Sequence, residues 1–412
     1  MAPPLVAPFV GERYRKAALS ALIAPPYDVL TRDDRARYAA RDPHNIVHLI
    51  LPESAGEDRY AHAATLLARW RAEGIFAPDP RPAVYVLSQR FALPTGEQHT
   101  RLGMFAAVSA ELGTGRVRPH EQTHSVPKAD RLALLQATQT NLESIFLLAP
   151  DQDRAFARAV ARAARGAPTA QAELEGVDMQ LWVVSGPQAD ELAALAGRAQ
   201  LYIADGHHRF ETAARYAADH PGDARVLSFV VSVHDSGLAI LPTHRVVEGP
   251  RLDSAPLLAR WREWFDVGRV APCADRVERL AELGRTRTAC VVAFPEAFDV
   301  SLVLKADAPL DRIDLGRTPA VRALDVARVD ALVVRPLEAA AGVGLRYTPD
   351  PRAAFDAVRR GGASAAVLLN PTPVSQVLAV ADSGDVMPPK STYFVPKVPS
   401  GLVLRPLVER GE

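Results

Sequence analysis

The chain has 412 residues, 48% of them hydrophobic, and its 48 basic side chains balance its 48 acidic ones. This size and composition indicate a globular protein that can hold two or three domains. With no net charge, nothing favours a nucleic acid or an anionic membrane as partner. No window approaches the roughly 18–20 apolar residues of a membrane span, and the proline-rich start is not typical of a signal peptide, so we expect a cytoplasmic protein.

The first half of the chain alternates between predicted helices and strands after a proline-rich, irregular stretch over 1–56. An amphipathic helix is predicted over 58–73, because Tyr60, Ala63, Leu67 and Trp70 recur at helical spacing. The next predicted elements are strands 83–91 and 100–110 as a hairpin, a polar loop 116–131 leading into a helix to about 139, strand 145–149, helix 151–165, strand 179–186, helix 187–197 and strand 201–204.

Residues 226–247 predict another hairpin, with His-Asp-Ser-Gly at its tip, and the pattern restarts after about 250. Hairpins this frequent exclude a purely parallel doubly wound sheet, so the predicted class is α+β with a mixed sheet. We expect three parts: an N-terminal α/β segment over 1–100 that packs on the core, the core over 101–250, and a C-terminal α/β domain over 251–412.

The most informative stretch is LYIADGHHRFETAARY at 201–216, which predicts a strand, a tight turn and a helix. The first N–H groups of a helix lack partners and its dipole is positive there, so the turn suits an anion, most often a phosphate. Gly206 allows the backbone to approach that anion closely. The titratable side chains of the turn are Asp205, His207, His208 and Arg209. The alternative is an ordinary helix cap by Asp205 with solvated histidines.

A second polar motif, RPHEQTHSVPKADR, covers 118–131. Glu121 lies between His120 and His124, and a neighbouring cation or burial can bring its pKa into the range of a general base. Lys128 and Arg131 carry charges that can neutralise phosphates. The alternative is a solvated loop.

The letters HEQTH at 120–124 also match the zinc-binding pattern HExxH. That pattern needs both histidines on one long helix, and Pro119 and Pro127 leave little room for it. A zinc-dependent hydrolase is therefore a minor alternative.

Two weaker candidates complete the set. In PPKSTYF (388–394), Lys390, Ser391 and Thr392 suit contacts to phosphate or carboxylate, and a strand cap is the alternative. In PPYDV (25–29), Tyr27 and Asp28 are candidates for a pocket lining, and a structural role is the alternative.

These motifs, together with DPHNIVHLILPE (42–53), resemble the DUF1015 family of uncharacterised proteins over nearly the whole chain. PHE (119–121), DGHHR (205–209) and PPKSTYF (388–394) are more distantly similar, in the same order, to motifs of a free-serine kinase in the ParB/sulfiredoxin superfamily. That resemblance implies a ParB/sulfiredoxin-like core whose Gly-x-x-Arg turn cradles nucleotide phosphates. His207 stands at the position of the sulfiredoxin cysteine, so sulfinic-acid reduction is not expected.

The kinase resemblance implies a nucleotide-dependent phosphotransferase that acts on a small hydroxyl-bearing metabolite, with free serine as one candidate. It implies ADP or ATP and Mg²⁺, Asp205 as the metal residue, and Glu121 as the base that activates the hydroxyl. The implied catalytic residues are Glu121, Asp205 and His207. The implied phosphate-binding residues are Gly206, His207, His208, Arg209, Lys128, Arg131, Lys390, Ser391 and Thr392, and the implied pocket residues are His120, His124, Tyr27 and Asp28. A non-catalytic nucleotide-binding regulatory protein stays open as the alternative.

Overall fold

The computed structural model describes residues 3–54, 58–111, 114–121, 125–220, 225–270, 276–295, 298–342 and 344–407, without the side chains of 125–127. His124 therefore lies outside the described residues. The chain divides into two compact units: Met1–Pro119, Thr123–Leu238 and Pro396–Glu412 form the first, and His120–Gln122 with Ala239–Val395 form the second.

The first unit combines one large sheet with helices. Its strands are β1 (Val6–Ala7), β2 (Glu12–Tyr14), β3 (Phe76–Pro78), β4 (Ala83–Ala92), β5 (Gln98–Ser109), β6 (Val117–Arg118), β7 (Thr140–Asn141), β8 (Ile145–Ala149), β9 (Ala170–Leu174), β10 (Val177–Ser185), β11 (Leu201–Asp205), β12 (Arg225–Ser232) and a short strand at Arg405–Pro406. Its helices are α1 (Arg32–Ala39), α2 (Val47–Ile50), α3 (Arg59–Ala72), α4 (Ser125–Thr138), α5 (Ala155–Ala163), α6 (Pro187–Ala196) and α7 (His207–Asp219).

Nine strands of the described residues form a mixed sheet in the order β6–β11–β8–β12–β5–β4–β10–β9, with β1 also paired to β5. β11 is parallel to β6 and β8 is parallel to β12, while the other pairs are antiparallel. The predicted α+β class with a mixed sheet is confirmed.

The two faces of this sheet carry different side chains because residues alternate along a strand. On β5, Met104, Ala106 and Val108 belong to a buried cluster that includes side chains of α5 and α6. The alternate residues Arg101 and Phe105 are also buried, and they lie on the opposite face. This second face carries the polar groups that matter for the candidate site.

The second unit has its own sheet and core. Its strands are β13 (Ala239–Leu241), β14 (His244–Val247), β15 (Phe265–Val270), β16 (Ala289–Ala293), β17 (Asp299–Leu304), β18 (Leu345–Thr348), β19 (Ala365–Leu369) and β20 (Tyr393–Val395). Its helices are α8 (Ser254–Trp261), α9 (Arg276–Leu283), α10 (Pro319–Arg322), α11 (Asp325–Val329), α12 (Arg335–Ala341), α13 (Pro351–Arg359) and α14 (Val374–Asp382). Six strands pair in the order β15–β17–β16–β19–β14–β18, and β13 pairs with β20. Trp261, Phe265 and Phe294 are among the buried side chains of its core.

Four predictions about elements were wrong. The stretch 1–56 is not irregular throughout, because it contains β1, β2, α1 and α2. The segment 226–247 is not a hairpin, because β12 pairs with β5 and β8 whereas β14 pairs with β18 and β19. The helix after the second motif begins at Ser125, inside the predicted polar loop. The C-terminal loop contains a strand, β20, which finds its partner at β13. In the errors at 226–247 and at β20, pairing with distant segments satisfies backbone groups whose partners local sequence cannot reveal.

The three-part division at residues 100 and 250 stays a prediction, as does the assignment to a ParB/sulfiredoxin-like core. Residue 100, the first predicted boundary, lies within β5, which pairs with β4. No helix in the described part of the chain combines the length and apolarity that a membrane crossing needs.

Candidate functional site

The predicted strand, turn and helix at 201–216 are confirmed. β11 has an irregular register between Ile203 and Asp205, and such bulges redirect the side chains that follow. Gly206 has φ 88° and ψ 33°, a left-handed conformation, and α7 begins at His207. The N–H groups of the first helical turn and the positive end of the helix dipole therefore lie directly after Asp205.

Arg209 folds back over this turn. A methyl group built on Gly206 would lie 3.1 Å from the guanidinium carbon of Arg209. The guanidinium donates to the carbonyl oxygen of Ser144 through Nη1, and Nη2 lies 3.3 Å from Asp205 Oδ2 and 3.8 Å from Asp28 Oδ2. Its side chain is 10% exposed, and its Nε is buried without a hydrogen-bond partner among the described residues. One N–H donor of this buried cation is therefore not satisfied by the described residues.

The charge of Arg209 is secured by its surroundings. Burial alone would lower the pKa of its guanidinium, but the carboxylates of Asp28, Glu143 and Asp205 raise it above its usual value. Arg209 is therefore a permanent cation at the turn.

Asp205 is held between two cations. Its Oδ1 lies 3.2 Å from Lys397 Nζ and its Oδ2 lies 3.3 Å from Arg209 Nη2. Burial would raise the pKa of Asp205, but Lys397, Arg209 and His207 lower it to about 2. The carboxylate is ionised at neutral pH and is too weak a base to accept a proton there.

The predicted role of Asp205 as a magnesium ligand does not fit this arrangement. Both of its oxygens already face a cation, and a directly bound Mg²⁺ would have to displace one of them. Among the described residues, no group of three or more His, Cys, Asp or Glu side chains could hold a metal ion. We therefore derive no step that uses a metal at Asp205.

No sequence motif predicts that Lys397 lies at Asp205 or that Arg101 contacts the residue before Lys397. Arg101 is fully buried, donates to Gln89 Oε1 from Nε and Nη2 at 3.2 and 2.5 Å, and donates to the Pro396 carbonyl oxygen at 2.6 Å. Gln89 Nε2 lies 3.3 Å from the carbonyl oxygen of Lys397, to which it donates. The only feature of the sequence that draws attention to Lys397 is the rarity of lysine, since it is one of five lysines among 48 basic residues.

Tyr27 and Asp28 lie beside the turn, since Asp28 contacts Arg209. The N–H of Tyr27 donates to Glu143 Oε1 at 2.9 Å, and its ring centroid lies 4.1 Å from the guanidinium carbon of Arg131. Burial, as the larger cause, and the negative charge of Asp28, as the next, raise the pKa of Tyr27 to about 12. Tyr27 is therefore a neutral phenol at neutral pH.

Two predicted phosphate ligands already have acidic partners. Arg131 is 6% exposed and donates to Asp130 Oδ2 at 2.8 Å and to the Ile50 carbonyl oxygen at 2.8 Å. Lys128 forms an ion pair with Glu211, which links α4 to α7. Arg131, Glu143 and Arg209 also line a cavity of about 50 Å³, which has room for water but not for a nucleotide.

The histidines of the turn differ in exposure. His207 is buried and is the smallest of the contributions named above that lower the pKa of Asp205. His208 is half-buried, and its carbonyl oxygen accepts a hydrogen bond from Thr212 Oγ1 at 2.8 Å. Their predicted roles at a phosphate stay predictions.

Other predicted site residues belong to the second unit. His120 is buried, its carbonyl oxygen accepts a hydrogen bond from Met387 N at 2.8 Å, and its Nε2 lies 3.5 Å from Thr392 Oγ1. Glu121 follows in a bend and is half-buried. The structure thus brings His120 and Thr392 together, although they are far apart in sequence.

The Lys390–Thr392 segment is partly fixed within the second unit. Lys390 has φ 56°, and its carbonyl oxygen accepts a hydrogen bond from Arg245 Nη1 at 3.4 Å. Ser391 is buried and its hydroxyl donates to the Pro388 carbonyl oxygen at 2.5 Å. The Ser391 hydroxyl is therefore already engaged within the loop.

The geometry of a zinc peptidase is not present at His120. That motif needs its first histidine and glutamate on one helix with the second histidine. His120 and Glu121 are not helical, and α4 begins only at Ser125. The zinc-dependent hydrolase has no support from this arrangement.

Asp235 gives a test of electrostatics near Arg101. Burial raises the pKa of Asp235 to about 6, against the N–H groups of Leu102 and Gly237 and the charge of Arg101. A carboxyl whose pKa is higher in the folded than in the unfolded chain stabilises the fold at low pH, and that stability is lost as pH rises from about 4 to about 6.

We therefore expect Asp235→Asn to gain about 2 kcal/mol of unfolding free energy relative to wild type between pH 4 and pH 7. Urea unfolding at several pH values measures this, with Asp33→Asn at an exposed position as the control. Parallel pH curves for wild type and Asp235→Asn would contradict the expectation.

Gly206→Ala tests the packing of Arg209 on the turn. The left-handed φ costs a non-glycine residue about 1 kcal/mol, and the new methyl group would also press on the Arg209 guanidinium at 3.1 Å. Gly74→Ala is the matched control, because Gly74 has φ 72° with nothing within 4 Å of the added methyl. We expect a larger loss of unfolding free energy at Gly206 than at Gly74; equal losses would show that Arg209 yields freely.

Comparison with known proteins identifies one matching family model and several solved structures with weak similarity to this chain. A family model described as "Protein of unknown function (DUF1015)" matches residues 6–327. No curated protein matches.

Similar solved structures include a free serine kinase in complex with AMP, at 13% identity and TM-score 0.38 over 72% of this chain and 92% of that chain. A conserved hypothetical protein from Pyrococcus furiosus has 14% identity and TM-score 0.37 over 73% of this chain and 95% of its own. SbnI with a C-terminal truncation, from Staphylococcus aureus, has 12% identity and TM-score 0.38 over 74% and 87%. Likenesses of this size are too weak to transfer an activity to this chain.

Proposed function

This chain belongs to the DUF1015 family, and we propose that it binds the phosphates of a nucleotide on the β11–α7 turn and transfers a phosphoryl group to a small hydroxyl-bearing metabolite. ADP or ATP is the proposed donor. Free serine is the proposed first acceptor, on the resemblance of the motifs around Glu121, Asp205 and Lys390 to those of a free-serine kinase.

The observation that carries the proposal is the position of Arg209. Its guanidinium covers Gly206 at the start of α7, and its buried Nε has no hydrogen-bond partner among the described residues. A phosphate oxygen placed there accepts a charge-assisted hydrogen bond from Arg209 as well as N–H groups of the helix start.

The ionised state of Asp205 supports the same function. Because its pKa is held at about 2, Asp205 remains a fixed anion that orients Arg209 and Lys397 by hydrogen bonds. Phosphoryl transfer depends mainly on positioning and on neutralising charge, and oriented cations supply both.

The proposed chemical step assigns the proton to Glu121. Its carboxylate takes the proton of the acceptor hydroxyl, the hydroxyl oxygen forms a bond to the terminal phosphorus, and the bond from that phosphorus to the bridging oxygen breaks. The shortened nucleotide leaves with the electron pair on that oxygen. His207 and His208 are proposed to face the phosphates, and His120, His124, Lys390 and Thr392 keep the roles predicted for them. Ser391, whose hydroxyl donates to the Pro388 carbonyl oxygen, is proposed to hold the loop that carries Lys390 and Thr392.

For Lys128 and Arg131 we propose a supporting role in place of the predicted contacts to phosphate. Lys128 pairs with Glu211, and Arg131 pairs with Asp130. Because their charges already have acidic partners, we propose that they hold the elements around the turn while Arg209 contacts phosphate.

A non-catalytic nucleotide-binding regulator is the second candidate. The observation that favours it is that both oxygens of Asp205 are engaged by cations, so the turn itself offers binding without a base. Turnover separates the two candidates, because a regulator binds nucleotide and transfers nothing.

The experiment uses the full chain. Isothermal titration with AMP, ADP and ATP measures binding, and phosphoserine formation from L-serine with each nucleotide measures transfer, with L-alanine as the acceptor that lacks a hydroxyl. Serine phosphorylation above the alanine background supports the kinase; binding without transfer to serine or to a pool of hydroxyl metabolites supports the regulator. No binding of any nucleotide by the folded protein would overturn both.

A further inference from the structure

We infer that Lys397 is a second phosphate-binding cation of the turn, that Arg101 and Gln89 position it, and that the ligand therefore carries two adjacent phosphoryl groups. The inference deepens the proposed function and rests on it. It concerns residues to which no sequence motif assigned a role at the site.

The two cations flank a single carboxylate. Lys397 Nζ lies 3.2 Å from Asp205 Oδ1, and Arg209 Nη2 lies 3.3 Å from Asp205 Oδ2. An ammonium has three N–H donors and a guanidinium five, so each can contact Asp205 and a phosphate oxygen together. Arg209 and the helix start are inferred to bind one phosphoryl group, and Lys397, on the other oxygen of the same carboxylate, is inferred to bind the neighbouring one.

The backbone of Lys397 is held by hydrogen bonds to the carbonyl groups before and after its α-carbon. Arg101 Nη2 donates to the Pro396 carbonyl oxygen at 2.6 Å, and Gln89 Nε2 donates to the Lys397 carbonyl oxygen at 3.3 Å. Gln89 Oε1 in turn accepts from Arg101. Gln89 on β4 and Arg101 on β5 thus hold the C-terminal segment at Lys397, whose side chain contacts Asp205.

The burial of Arg101 indicates a task beyond stability. Its side chain is fully buried, with the guanidinium carbon 4.7 Å from the ring centroid of Phe146 and 5.6 Å from that of Phe229. Burying a charge is costly, and apolar replacements of buried ion pairs are often as stable. A buried guanidinium at this position is explained by the hydrogen bonds that fix the segment carrying Lys397.

The test compares inorganic pyrophosphate with inorganic phosphate by isothermal titration of the full chain at one salt concentration. We expect wild type to bind pyrophosphate at least tenfold more tightly than phosphate. Lys397→Ala should lose at least tenfold in pyrophosphate affinity and less than threefold in phosphate affinity. Lys397→Gln, which keeps most of the side-chain length, repeats the test if Lys397→Ala does not fold, and Lys16→Ala at an exposed position is the control.

Arg101→Lys tests the positioning role. It keeps the charge but not the fork that joins Gln89 to Pro396, so we expect a loss of pyrophosphate affinity with phosphate affinity retained. A merely structural Arg101 would lower both affinities together, and that result would overturn its positioning role.

The outcomes for Lys397 separate this inference from the proposed function. The inference is overturned if Lys397→Gln keeps the pyrophosphate affinity of wild type, or if it loses affinity equally for pyrophosphate and phosphate. In either case the proposed function stands as long as wild type binds a nucleotide. If wild type binds neither pyrophosphate nor any nucleotide, both are overturned.

Discussion

Glu121→Gln is expected to lower phosphoryl transfer to the acceptor by about 10²–10⁴-fold and to leave nucleotide affinity nearly unchanged. Glutamine keeps the size of the side chain and can hydrogen-bond, but it cannot take the proton from the acceptor hydroxyl. The measurement pairs a phosphoryl-transfer assay, with serine and ADP or ATP, with isothermal titration of the nucleotide.

Glu111→Gln is the control, because Glu111 is exposed and lies outside the motifs of the proposed site. Wild-type turnover in Glu121→Gln would remove the proposed mechanism. A loss of nucleotide binding as large as the loss of turnover would instead make Glu121 part of a simple binding site.

Arg209→Ala is expected to weaken nucleotide binding by about 1.5–3 kcal/mol, or roughly 10–150-fold, through loss of a charge-assisted contact to phosphate. It is also expected to destabilise the fold, because Asp205, Asp28 and the Ser144 carbonyl each lose a contact to the guanidinium. Removal of one partner from a buried ion pair costs about 3–5 kcal/mol. Isothermal titration measures the first effect and urea unfolding the second.

The substitution Arg209→Lys separates the effect of the positive charge from the effect of the planar guanidinium group. Lysine retains the positive charge near Asp205 but has no planar fork to contact Asp205, Asp28 and Ser144 together, so binding and stability should fall between those of wild type and Arg209→Ala. Arg215→Ala is the control on the same helix, because that side chain is 71% exposed. Wild-type nucleotide affinity in a folded Arg209→Ala protein would refute phosphate binding at this turn.

Local sequence was sufficient for the elements whose physical causes are local. The helix Arg59–Ala72 follows from apolar residues at helical spacing, with Ala63, Leu67 and Trp70 buried. The turn at Gly206 follows from a left-handed conformation that glycine adopts without strain, between an apolar strand and an amphipathic helix. The family was also recognisable from motifs that lie within single segments, and the family model confirms it.

Partners of strands could not be predicted in the same way. The apolar pattern of 226–247 identified strands correctly, but β12 and β14 belong to different sheets. Period-two alternation determines which face a residue occupies, not which strand lies beside it. The start of α4 at Ser125 was missed because its first residues are mostly polar and include Pro127.

The sequence by itself determined the family, the α+β class and the strand, turn and helix at 201–216, because glycine geometry, helix initiation and apolar periodicity act over a few neighbouring residues. Only the tertiary structure decided which charges meet at that turn. Lys397 reaches Asp205 across 192 positions of the chain, and Arg101 reaches Pro396 across 295. Such pairs form because the sheet order and the returning C-terminal segment place them within hydrogen-bond distance, and no local pattern specifies that meeting.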